Sequence, residues 1–127
     1  MKVAAGALGL TGVSLGAFGA HGLKESLAAN NMAQAWETAV LYHLIHALAV
    51  LCVTAFSANA AADTSDRWFS RAVWAWVVGV ILFSGSLYAM ALGGLTRIGF
   101  ITPIGGIALL VGWGCVLASA SKRGTER

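Results

Sequence analysis

Residues 3–20 contain no charged side chain, and neither do residues 38–62 or 103–120. A further apolar stretch, 68–92, is interrupted only by Arg71, one turn inside its start, where the long side chain can reach the interface. Runs of this kind dictate the fold class, because a bilayer is crossed by segments of roughly 17–25 apolar residues in helical form. The alternation of a membrane barrel is missing from all four. The sequence therefore predicts an all-α, integral membrane four-helix bundle forming a single domain over residues 1–127. Its first and last spans are short and should lie close to the membrane normal.

Composition closes the other routes. Charged residues make up 10% of the chain and hydrophobic residues 58%, whereas a soluble domain carries about 25% charge. Disorder needs the opposite balance. Two cysteines supply neither a disulfide framework nor a four-thiolate zinc site. Cys52 and Cys115 read as small core residues.

Local signals set the expected boundaries. Gly93-Gly94 is a helix stop, 95–101 reads as a loop, and Thr102-Pro103 reads as an N-cap followed by proline at the first helical position. Between the first two spans, Leu23, Leu27, Met32 and Trp36 recur among polar residues. That spacing predicts a short amphipathic helix in the interface, with Trp36 as its anchor.

The net charge of +3 does not indicate nucleic acid, because the basic residues are scattered singly at span ends. With four spans, Lys2, Arg67, Arg71, Lys122, Arg123 and Arg127 share one side, while Lys24 and Arg97 occupy the other. The positive-inside rule then places both termini in the cytoplasm. Lys2 and Ala17-Phe18-Gly19 resemble parts of a cleavable signal, but the n-region is meagre, so the first span is expected to be retained.

Gly6, Gly9, Gly12, Gly16, Gly19 and Gly22 trace one stripe along the first helix, and Gly105, Ala108 and Gly112 a shorter one on the fourth. Small residues let helix backbones approach in lipid, within a bundle or across a dimer seam. Tyr42, His43 and His46 lie on one face of span two; Ser84, Ser86 and Tyr88 belong to span three. His21 and Lys24 follow span one, and Thr102 begins span four. These nine residues form a candidate polar pocket in the outward half. They serve either as an interhelical hydrogen-bond network or as a functional pocket or relay. His21, His43 and His46 are the sharpest alternative, a haem or metal site, though no carboxylate or thiolate and no attachment motif accompanies them. No cofactor is expected. Nucleophile elbows, phosphate loops and zinc-protease motifs do not occur. Every carboxylate lies outside the spans, so nothing in the chain calls for catalysis.

The segment Gly16-Ala17-Phe18-Gly19-Ala20-His21-Gly22-Leu23-Lys24 resembles the signature of the YgdD-like family of small bacterial inner-membrane proteins, which has small eukaryotic transmembrane relatives. Thr38 to Tyr42 with His46 to Ala49, Ser84 to Tyr88, and Ile101 to Gly106 with Gly112-Trp113 fit as well. The resemblance implies a four-helix membrane protein without an assigned reaction, in which His21, Lys24, Tyr42 and His46 are typical positions. His43 departs from it, since relatives carry glutamine there, and a ligand is not readily exchanged for an amide.

Three functions follow as expectations. The first is a scaffold or accessory bundle that binds membrane lipid, a small ligand or a larger complex. The second is an oligomeric transport or permeation module. The third is a haem- or metal-binding redox protein. The chain is short for inverted transporter repeats, and its halves 1–62 and 63–127 share no internal pattern.

Overall fold

The computed structural model describes residues 1–59 and 64–123. They form α1 (Lys2–His21), α2 (Lys24–Ala29), α3 (Ala33–Asn59), α4 (Thr64–Gly93), a 3-10 turn (Thr96–Phe100) and α5 (Ile101–Arg123), with no strand among them. α1, α3, α4 and α5 are each long and apolar enough to cross a membrane. The expected end of span two at 60–62, Asp63, and the tail that ends in Arg127 lie outside the described residues.

The helices outrun their apolar cores. α3 begins at Ala33 rather than 38, and the Trp36 amide already donates to the Met32 carbonyl at 3.0 Å. At about 1.5 Å per residue, α3 is roughly 40 Å long and α4 roughly 45 Å. The hydrocarbon layer is about 30 Å thick, so both helices extend into the head-group region. Counting apolar residues finds the part of a helix inside the membrane and misses the turns beyond it.

Between α1 and α3, the expected interfacial helix is the six-residue α2. It ends at Ala29; two residues further on, Asn31, with a φ of 53°, takes a left-handed conformation that asparagine tolerates better than most non-glycine residues. The Met32 amide returns to the Leu27 carbonyl at 2.9 Å to close the end. Trp36 is not an interface anchor. It belongs to α3, is 2% exposed, and donates its indole N–H to the Leu15 carbonyl of α1 at 3.1 Å. The ring therefore pins helix to helix.

α4 ends at Gly93, and Gly94 at φ +60° carries the chain through a conformation that disfavours a Cβ. A 3-10 turn then replaces the expected loop. α5 starts at Ile101, so Thr102 is inside the helix rather than its N-cap. Pro103 remains in the first turn, where amide hydrogens have no helical partner to lose.

The spanning helices pack in chain order, α1 on α3, α3 on α4, and α4 on α5. The last pair is the most closely fitted. Trp76 lies against Gly112, Leu109 against Gly79, and the Phe83 backbone against Gly105, so bulk and space alternate along the antiparallel seam. On α1 only part of the glycine stripe meets a neighbour. Cβ atoms at Gly12, Gly16 and Gly19 would run into Leu44, Val40 and Trp36 of α3. Gly6 and Gly9 face open space, and Gly22 sees only Phe18 of its own helix. Helical phase alone put all six on one face; the narrow line of contact with α3 selects three.

Two apolar clusters fill the interior. Toward the α2 side, Leu27, Trp36, Ala39, Tyr88 and Ala91 pack together. In the opposite half, Val50, Val53, Val73, Trp76, Val80 and Leu109 form the core of a larger cluster. On α3, His43 and His46 fall between them.

Candidate functional site

His43 and His46 stand ten and thirteen residues into α3, about 15 and 20 Å from its start, hence at mid-length. Both are buried. In the half opposite α2, Thr54 and Ser119 are also buried; Ser119 donates to the Val116 carbonyl of its own helix at 2.6 Å, and the Thr54 hydroxyl has no partner among the described residues.

Hydrogen bonding fixes the His46 tautomer. Its Nε2 is 3.2 Å from the indole nitrogen of Trp113, which can only donate. Its Nδ1 is 2.7 Å from the Tyr42 carbonyl, which can only accept. His46 is therefore the neutral Nδ1–H form. Trp76 and Trp113 close around it, each with its ring centroid about 6 Å from the imidazole.

His43 has the opposite arrangement. Thr11 donates its hydroxyl proton to the Ala7 carbonyl at 2.7 Å. Toward the His43 Nε2, at 3.3 Å, Thr11 can then only accept. That leaves Nδ1 to accept from the Tyr88 hydroxyl at 3.4 Å. Tyr88, His43 and Thr11 thus form a chain of long hydrogen bonds from α4 through α3 to α1.

The other expected pocket residues are elsewhere. Ser84, fully buried, donates to the Ala39 carbonyl at 2.8 Å and locks the α3–α4 crossing. Ser86 donates to the Phe83 carbonyl at 2.9 Å, so across the α4–α5 gap it accepts from Thr102 at 2.7 Å. The Tyr42 ring packs on Phe83 at 4.7 Å and is part-exposed on the bundle surface. His21 and Lys24 are exposed. The nine residues are thus divided among separate contacts.

This geometry does not fit the three-histidine site. His21 is ten residues along α1 from Thr11, which touches His43, a separation of about 15 Å. Both nitrogens of His46 are already engaged. Among the described residues no three His, Cys, Asp or Glu side chains gather at ligating distance.

Thr11 and Trp113 are the partners that the sequence reading did not single out as polar contacts. Thr11 adjoins the packed Gly12, and Trp113 adjoins Gly112. A polar group beside a glycine that seats a neighbouring helix is well placed to reach across to that neighbour.

A second feature lies on the flank of the molecule. Beside the α1–α3 contact, residues of α1, α2 and α3 together line a half-open groove of about 630 Å³. Gly16, Gly19 and Ala20 form one wall, and Val40, Leu41 and Leu44 the other. Lys24 and Glu37 stand in the same groove, among apolar neighbours. Neither has an ion-pair partner among the described residues.

Fold and interior together define a class: a small four-span helical membrane protein whose two buried histidines hydrogen-bond to side chains of neighbouring helices. The chain belongs to the family described as protein of unknown function (DUF423), whose model matches residues 15–106, from the glycine face of α1 to the start of α5. It is 40% identical to the UPF0382 membrane protein YwdK of Bacillus subtilis, over 89% of each chain. It is 38% identical to the inner membrane protein YgdD of Escherichia coli, over 96% of this chain and 89% of that one. A UPF0382 membrane protein of Haemophilus influenzae is 44% identical over 80% of this chain and 77% of its own length. No solved structure matches the chain.

Proposed function

We propose that this protein is a non-catalytic, lipid-binding accessory bundle of the bacterial inner membrane, with both termini in the cytoplasm. The lateral groove carries the reading. Its volume of about 630 Å³ is in the range of ligand pockets, its walls are apolar, and it opens sideways, where acyl chains are. The interior supports the same conclusion, since its two buried histidines are engaged by side chains of neighbouring helices. Six cations on the side of the termini against two on the other favour the orientation.

The test is to fill the groove. Ala20→Trp and Ala28→Trp put bulk where a chain would lie. Native mass spectrometry from mild detergent should show about one phospholipid retained per wild-type chain and none in either variant. Equal retention by wild type and both variants would remove the groove from consideration.

A further inference from the structure

We infer that the groove selects a glycerophospholipid bearing a primary ammonium in its head group, the phosphatidylethanolamine class. This rests on the lipid-binding reading and specifies its ligand. The observation is the pairing of one cation and one carboxylate, Lys24 and Glu37, in a groove whose other lining is apolar or aromatic apart from backbone. Two isolated opposite charges in one apolar groove complement a zwitterion better than an ion of either sign.

Their position along the membrane fits a head group. Glu37 is four residues into α3, about 6 Å from its start, and Lys24 opens α2. Because α3 exceeds the hydrocarbon thickness, its first turns belong to the head-group level and the groove below them to the acyl level. Lys24 then meets the lipid phosphate as a point charge, and Glu37 accepts hydrogen bonds from the ammonium. One acyl chain lies along the open side of the groove against Ala20, Leu41 and Leu44, outside the Gly16–Val40 contact that closes its floor. A phosphatidylglycerol head group offers the phosphate to Lys24 and leaves Glu37 facing hydroxyls and a net negative lipid. Lipids with no charge engage neither residue.

Wild-type protein in bilayer discs of equimolar phosphatidylethanolamine and phosphatidylglycerol, released for native mass spectrometry, should retain the former about tenfold over the latter. Glu37→Gln should reduce that ratio to within about twofold while keeping a bound lipid, and Lys24→Gln should weaken retention of both. Both side chains are exposed, and an unchanged thermal midpoint establishes that each variant is folded. If wild type holds lipid with no preference, or Glu37→Gln leaves the preference intact, the head-group assignment fails and the groove reading survives. If wild type retains neither lipid, both fail together.

Discussion

At the level of single residues, the two histidines show how far side-chain chemistry can be deduced from partners alone. Trp113 cannot accept and the Tyr42 carbonyl cannot donate, so His46 has one possible protonation pattern and His43 has the reverse. Nitrogen-15 NMR of selectively labelled protein should find Nδ1 protonated in His46 and Nε2 protonated in His43; matching tautomers would overturn the assignment. Trp113→Phe keeps most of the ring and removes the donor. It should cost about 1 kcal/mol in detergent unfolding, near the range for hydrogen bonds between membrane helices. His46→Ala should cost more, because the Trp113 N–H then loses its acceptor and a cavity opens. The double variant should fall short of the sum, as residues sharing a bond do. His43→Gln should be nearly neutral, since an amide can donate to Thr11 and accept from Tyr88 in turn. The residue types were legible in the sequence, but their partners were not. His46 and Trp113 are 67 positions apart, and only the packing of α3 and of α5 on α4 sets the level at which they meet.

For helices, the informative residues are glycines, and they divide sharply. A Cβ at Gly12 would come within 2.8 Å of the Leu44 side chain, and one at Gly105 would collide with the Phe83 backbone. Gly12→Leu should therefore loosen α1, and Gly105→Ala should destabilise by about 1–3 kcal/mol, since a backbone cannot rotate out of the way. Gly6→Ala and Gly9→Ala meet nothing and should be neutral or stabilising by roughly 0.4–1 kcal/mol. Thermal unfolding of the four variants would expose the contrast; uniform losses would mean that α1 packs along its whole stripe. Periodicity identified four spans and the glycine-rich face, because both are properties of one segment. It could not say which glycines touch, nor that Gly79 of α4 receives Leu109, because those facts belong to pairs of segments. The helix termini were misplaced for a related reason: Ala33, Gln34 and Glu37 extend α3 through helix propensity, to which a hydropathy count is blind.

On the scale of the molecule, topology is the most direct expectation. A reporter fused after Arg123 should be cytoplasmic and one inserted in Thr96–Phe100 should be exported, with the reverse pattern overturning the cation argument. The interior also has a consequence for energetics. A unit charge carried across 100 mV exchanges about 2.3 kcal/mol with the membrane potential, and voltage-responsive proteins place arginines or carboxylates where that field falls. Here the mid-depth layer of described residues consists of two neutral imidazoles, hydroxyls and indoles. Arg71, over the Trp68 ring at 4.9 Å, stays near one end. A rearrangement confined to this layer carries no formal charge through the field, so it costs the same in an energised membrane as in a collapsed one.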